Sequence, residues 1–216
     1  MSVAIITGAS KGFGLALANA LSDRGWDLVV DARGAEALKA AGFGSNVTVI
    51  PGDVTDPRHR LSLVEAVSRL DLLVNNASAL GPSPQPQLAS YPLDVFSQVY
   101  EANVVAPLAL IQLALPLLAK VDGVVVNVSS DAAVEAYEGW GGYGSSKAAL
   151  DRLSAVLAVE HPSLRVYAFD PGDMRTEMHQ AAFPGEDISD RPEPATVVPA
   201  LLKLLDERPP SGRYAK

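Results

Sequence analysis

The chain has 216 residues, a length that favours one domain and suffices for a sizeable core. Apolar residues make up 48% and charged residues 19%, which excludes long intrinsic disorder. With 17 Lys and Arg against 25 Asp and Glu, the net charge is −8, and an acidic chain lacks the basic footprint of nonspecific nucleic-acid binding. There is no cysteine, so disulfides, thiolate zinc sites and a Cys nucleophile are excluded. His59, His161 and His179 lie far apart without metal-ligand spacing, and no metal is expected.

Met1–Thr7 is apolar but short and has no basic leader. The longest apolar stretch, Val104–Ala119, is interrupted by Pro107, Gln112 and Pro116 and falls short of the roughly 20 residues of a membrane span. The expectation is a cytoplasmic protein with no membrane or nucleic-acid partner.

Six runs read as strands: Val3–Thr7, Leu28–Asp31, Val47–Ile50, Leu72–Asn75, Val124–Val128 and Leu164–Phe169. Most are continuous Val/Ile/Leu runs, which suit a parallel sheet buried on both faces. Helical segments fall between them, at Gly14–Arg24, Ala35–Ala40, Arg58–Arg69, Leu93–Lys120 (in two pieces), Tyr143–Glu160 and Ala195–Glu207. Alternating strands and helices predict an α/β fold, a Rossmann-type doubly wound parallel sheet with helices on both faces, in a single domain over residues 1–216. Two long loops, Ala79–Pro92 and Phe183–Pro194, are Pro-rich, and loops of this length are usually functional.

The first strand runs into Thr7-Gly8-Ala9-Ser10-Lys11-Gly12-Phe13-Gly14. A Gly-rich turn between a first strand and a helix lets a pyrophosphate approach the backbone, and the helix N-terminus offers free N–H groups and a positive dipole end. The alternative for these glycines is a tight packing turn. The spacing is TGxxxGxG, and with it the chain resembles the short-chain dehydrogenase/reductase family in its compact single-domain branch.

That resemblance implies an NAD(P) cofactor. The second strand ends Val30-Asp31-Ala32-Arg33. An acid at this strand end suits the ribose hydroxyls of NAD, whereas an arginine suits the 2′-phosphate of NADP. In the family the discriminating acid sits at the position of Ala32 here, and the NADP-type arginine at Arg33. Lys11 matches the family's other basic position, so NADP(H) is favoured over NAD(H). A one-residue slip at the strand end would put Asp31 in the acid's place.

Further along, the resemblance places Asp53 and Val54 beside the adenine. A helix-capping turn is the other use of that segment, although Asp56 or Thr55 can also supply the cap. Asn75-Asn76-Ala77 resembles the family's NNAG, with Ser78 in place of the glycine, and would lie under the ribose. Pro171-Gly172 and Thr176 resemble the PG…T segment beside the nicotinamide carboxamide, or form an ordinary Pro-Gly turn.

Ser130 follows the fifth strand, Tyr143 comes thirteen residues later, and Lys147 lies four residues beyond, on the same helix face. This resembles the family's Ser…Tyr-x-x-x-Lys set; the thirteen-residue spacing selects Ser130 over Ser129. Asn103 matches the fourth family position. Carbonyl reduction needs a proton on the developing alkoxide, and a free Tyr with a pKa of about 10 releases one slowly at neutral pH. A nearby Lys ammonium is expected to lower that pKa and to hold the nicotinamide ribose. Ser130 would polarise the carbonyl. The resemblance gives Asn103 a water-relay role; a helix bend or a backbone bond is the other reading.

The function expected is an NADP(H)-dependent oxidoreductase interconverting a carbonyl and an alcohol, with Tyr143 as acid/base. A cofactor-binding redox sensor or scaffold on the same fold is the alternative. The partner expected is a small-molecule carbonyl or alcohol. Tyr137 and Trp140 in Ala132–Gly142 would line its pocket or serve packing, and Met178–Asp190 would form a lid. The resemblance also implies a homodimer or homotetramer through the helices near Val104–Lys120 and Tyr143–Glu160, though a buried helix would carry the same apolar runs.

Overall fold

In the computed structural model, which describes residues 1–216, seven strands form one wholly parallel sheet. They are β1 (Val3–Ile6), β2 (Asp27–Val30), β3 (Val47–Val49), β4 (Leu72–Asn75), β5 (Val124–Val128), β6 (Arg165–Asp170) and β7 (Gly212–Ala215), in the order β3-β2-β1-β4-β5-β6-β7. The helices are α1 (Gly12–Asp23), α2 (Ala35–Ala40), α3 (Pro57–Glu65), α4 (Leu93–Tyr100), α5 (Ala106–Leu118), α6 (Gly141–Glu160), α7 (Glu177–Ala182) and α8 (Pro194–Glu207).

Both faces of the sheet are covered, which is why its strands read as continuous apolar runs. Ala4, Ile6, Val30 and Val74 point to one side and pack with Leu17 and Leu21 of α1 and Leu201 of α8. Ile5, Val29, Leu73 and Val125 point to the other and pack with Leu63 of α3 and Ile111 and Leu118 of α5. At the sheet centre a polar thread interrupts the core. Asn75 Nδ2 donates to Asn127 Oδ1 (2.8 Å), and Asn127 Nδ2 donates to Ser154 Oγ (2.8 Å), so both buried amides are paired. The chain leaves β1 toward β2 on one side and later returns to β4 on the other. In such sheets ligands bind at this reversal, beyond the strands' carboxyl ends.

The segment expected as two helices is one continuous rod, Leu93–Leu118, of 26 residues. In a regular helix the ring of Pro107 would clash with the carbonyl four residues earlier, that of Asn103. The helix instead widens to a π turn over Glu101–Val105 and passes Pro107 without breaking. The rod is thereby long and apolar enough to cross a membrane by length and composition, more than the sequence suggested, but its Leu110, Ile111, Ala114 and Leu118 are buried against the sheet. β7, which is not among the six runs read as strands, adds four residues at the sheet edge beside β6.

Candidate active site

The Gly-rich turn leaves β1 at Thr7 and enters α1 at Gly12. Gly8 has φ +70° and Gly12 φ +58°, conformations that L side chains rarely adopt. A Cβ on Gly14 would stand 2.4 Å from Asn76 Nδ2 and 2.5 Å from Gly8 O, so the close approach of α1 to the turn requires glycine. Asn76 Nδ2 donates to Thr7 O (2.9 Å) and Gly8 O (3.0 Å), and Thr7 Oγ1 accepts from the N–H groups of Asn76 and Ala77. The Asn76-Ala77 segment is thus laced to the turn despite Ser78 in place of glycine. Ser10 lies half-buried in the turn. Phe13 does not face a ligand: its ring is buried and stacks on Phe169 with centroids 6.0 Å apart. What it offers a ligand is the backbone N–H of a first helical turn.

Asp31 is buried and turned inward. One carboxylate oxygen accepts from Gly8 N–H (2.8 Å), and the other bonds His59 Nε2 (2.8 Å) under the chain at Gly52. Both oxygens are taken, so Asp31 fastens the turn to β2 and α3. Arg33, two residues on, is exposed. Lys11 is exposed too, and its ammonium pairs with Glu177 at the start of α7 instead of turning toward Arg33. Asp53 accepts from Thr55 N–H and Oγ1, each at 2.9 Å, while the cap of α3 is Asp56. Burial raises the Asp53 pKa, but the Thr55 bonds and nearby Arg33 outweigh it and hold the group below its usual value. Val54 O accepts from Arg60 Nη1 at 2.6 Å. On the opposite side Pro171 is buried and Gly172 has φ +65°. Thr176 caps α7 and stands 3.5 Å from where a Cβ on Gly12 would be, bringing the PG…T segment up to the turn.

Tyr143 and Lys147 project from the first turns of α6 and are both buried, 8% and 2% exposed. Lys147 Nζ donates to Val128 O (2.8 Å) and stands 5.5 Å from the centre of the Tyr143 ring. Burial pushes Lys147 down to about 8 against the pull of Asp151, and pushes Tyr143 up to about 12. The hydroxyls of Ser78 and Ser130 work against that rise, and the carboxylates of Asp170 and Asp131 add to it. The expected lowering of Tyr143 by Lys147 is therefore not what the free protein has. Desolvation dominates, and Tyr143 is held as a neutral phenol.

Ser130 Oγ donates to Asp131 Oδ1 (2.9 Å), and Tyr137 OH donates to the other oxygen of Asp131 (3.0 Å). Asn103 is fully buried in the π turn. Its Oδ1 accepts from Ala79 N–H (2.7 Å) and Ser78 Oγ (3.1 Å), and its Nδ2 donates to Ala79 O and Ser146 Oγ (2.9 Å each). An amide has no further capacity than these four bonds, so while they stand the side chain does not also hold a relay water. Trp140 lies 5.8 Å from Tyr143 and 5.6 Å from Phe183, ring centre to ring centre, and 6.2 Å from Tyr137. Ala181 and Ala182 of α7 pack on the same cluster, so α7 covers the Tyr143 side of the site.

Four residues near the pair were not singled out as site residues from the sequence: Ser78, Asp131, Asp151 and Asp170. Ser78 carried a readable signal, a hydroxyl where the family has glycine. Asp151 carried one as well, four residues after Lys147 on the same helix, and Asp131 follows Ser130 directly; Asp170 did not, because only the folded chain brings it to the pair.

The family model for short chain dehydrogenases matches residues 2–187. The chain is 36% identical to serine 3-dehydrogenase of Agrobacterium fabrum over 80% of its length and 72% of that protein's. It is 34% identical to sepiapterin reductase of Rattus norvegicus, over 84% of this chain and 77% of the other. A short chain dehydrogenase of Shigella flexneri, solved in complex with NADP, superposes with a TM-score of 0.91 at 30% identity, covering 99% of this chain and 95% of that one.

Proposed function

Since the chain belongs to the short-chain dehydrogenase/reductase family and is an oxidoreductase, we propose that it interconverts a carbonyl and an alcohol with NADP(H). The observation that carries this reading is the buried Tyr143–Lys147 pair on α6, with Ser130 just beyond β5, on the sheet edge where β1 ends in the Gly-rich turn.

The residues present fit a dinucleotide. Ala77, Asn76 and the Gly8 carbonyl crowd the positions a Cβ would take on Gly8 and Gly14, and α1 begins there with no side chain capping its first N–H groups, which a pyrophosphate would take. Gly8, Ser10, Gly12 and the backbone of Phe13 and Gly14 would hold the pyrophosphate. Asp53 and the Val54 backbone would hold the adenine, and Asn76 and Ala77 the ribose. Pro171, Gly172 and Thr176 would hold the carboxamide. Arg33 would meet a 2′-phosphate, with Lys11 joining it once released from Glu177. Asp31 supports the choice of NADP(H), because its oxygens are committed inward. When bound, the cofactor supplies or accepts the hydride.

Tyr143 acts at the substrate oxygen. Pushed up to about 12, it keeps its proton at neutral pH and is suited to donate it to an alkoxide, the role of an acid in carbonyl reduction. Ser130 Oγ turns from Asp131 to donate to the same oxygen, and Ser78 lies within reach of the phenol. Lys147 places a cation behind the phenol and would hold the ribose of a bound cofactor. Asn103 is a positioning residue, binding the Ser78-Ala79 turn to α6. Exposed Val105, Leu113, Val156 and Val159 on the central rod and α6 support a homo-oligomer, which light scattering checks.

The test is NADPH and NADH consumption over a panel of ketones, aldehydes and quinones, with wild type and Tyr143→Phe run side by side and cofactor fluorescence read in the same wells. Turnover with NADPH that Tyr143→Phe abolishes, with binding kept, is the expected result. Equal turnover by the variant overturns the mechanism. Tight binding without turnover in wild type favours a redox sensor.

A further inference from the structure

Arg213 lies on β7, beyond the last residue the family model matches. The strand pairs with β6 in parallel, with Arg213 opposite Ala168, so its side chain reaches back across the sheet edge behind the acid/base pair. There it meets three acceptors from three elements. Arg213 Nη2 donates to Asp170 Oδ2 (2.8 Å) at the end of β6 and to the Ser130 carbonyl (2.9 Å) after β5, and Nε donates to Asp151 Oδ2 (3.1 Å) on α6. Asp151 sits one turn after Lys147, is only 16% exposed, and has no other ion-pair partner. Asp170 is 5% exposed, and its other oxygen accepts from Gly172 N–H (2.9 Å).

We infer that Arg213 is a positioning residue for this active site: it fixes the Ser130 backbone and is the cation that offsets Asp170 and Asp151 behind Tyr143 and Lys147. The inference rests on the reading of those two residues as the acid/base pair. A planar guanidinium with five donors can serve three divergent acceptors at once, whereas an ammonium on a flexible stem cannot. The charged groups around Lys147 and Tyr143 are Asp151 on α6, Asp170 on β6, Asp131 after β5 and Arg213 on β7. With Arg213 removed, Asp151 faces the Lys147 ammonium and Asp170 and Asp131 face Tyr143 without the guanidinium to offset them. The loss has two consequences. The Ser130 carbonyl keeps its bond from Ala133 N–H (3.0 Å) but loses its tie to β7, which loosens the hydroxyl that polarises the substrate. The unopposed carboxylates favour the charged form of Lys147 and disfavour a Tyr143 phenolate.

The experiment follows Lys147 directly by lysine side-chain ¹⁵N NMR titration of the cofactor-free protein, with the resonance assigned from Lys147→Met. It is paired with kcat against pH, and folding is checked by circular dichroism. The titration needs no turnover, so its outcome is independent of whether a substrate has been found. In Arg213→Met the Lys147 midpoint is expected to rise by about one pH unit and kcat to fall roughly tenfold. Adding Asp151→Asn to Arg213→Met should return the midpoint toward wild type without restoring kcat, since the tie from β7 to Ser130 is still missing. Arg213→Lys, which also covers the case of Arg213→Met failing to fold, keeps the midpoint near wild type and recovers only part of kcat. A folded Arg213→Met protein with wild-type midpoint and wild-type kcat overturns the inference. So does a loss of kcat with no movement of the midpoint, which would mark Arg213 as a purely structural contact.

Discussion

Lys147 is charged where charge is least welcome, and this gives a prediction with a sign that reverses with pH. Displacement of its pKa from 10.5 to about 8 corresponds to about 3 kcal/mol against the ammonium in the folded chain. Below pH 8 the folded and unfolded chains both hold the proton, and the full penalty is present. Between about pH 8 and 10.5 the unfolded chain still binds a proton that the folded chain has released, so wild-type stability rises with pH across that window. Lys147→Met removes the ammonium and keeps most of the volume. It also removes the bond to Val128 O (2.8 Å), leaving a buried carbonyl unpaired at a cost of about 1 kcal/mol. The variant is therefore expected to be more stable than wild type by about 2 kcal/mol at pH 7, a rise of roughly 4–8 °C in Tm for a chain of this size, while losing activity. Urea denaturation of both proteins at several pH values from 7 to 10.5 reads the difference. The gain should shrink through pH 9 and vanish or invert near 10.5. A variant that is less stable at pH 7, or whose advantage does not change with pH, refutes the account of Lys147 as a cation held at the expense of stability.

Other consequences follow from the same geometry. Gly14→Ala forces a Cβ to within 2.5 Å of Gly8 O, a backbone atom that cannot swing aside. It should cost about 1–3 kcal/mol in thermal or urea denaturation and abolish the cofactor fluorescence signal. Arg33→Ala removes the free cation at the end of β2 and should weaken NADPH binding by roughly ten- to a hundredfold with little effect on NADH. Equal losses for both cofactors would contradict the assignment. Asn127→Leu breaks the bonds to Asn75 and Ser154 at the sheet centre and strands the Asn75 amide. It should destabilise the fold by about 2–4 kcal/mol without changing cofactor preference, as read by denaturation and by the NADPH/NADH ratio.

Much of this molecule is written in local sequence. The Val/Ile/Leu runs of β1, β4 and β5 marked a sheet covered on both faces, because period and composition reflect burial directly. Gly8, Gly12 and Gly14 marked the turn, since positive φ and a missing Cβ are properties of one residue type. The Tyr143–Lys147 pair was legible because one helix carries both at a fixed interval. The two pieces expected over Leu93–Lys120 fused, because the strain at Pro107 is relieved by a π turn that no residue pattern announces. Whether the Asp31 carboxylate turns outward at the end of β2 could not be decided from order along the chain; Gly8 and His59, 28 residues away, hold it inward. The protonation states of the pair were likewise outside the sequence. Tyr143 and Lys147 lie near each other along one helix, but their pKa values come from the packed elements that exclude water from both. Residue identity and interval determined which groups are present and on which element. Burial, carboxylates from distant segments and the reach of Arg213 from β7 are sums over the folded chain, and only the tertiary structure decided them.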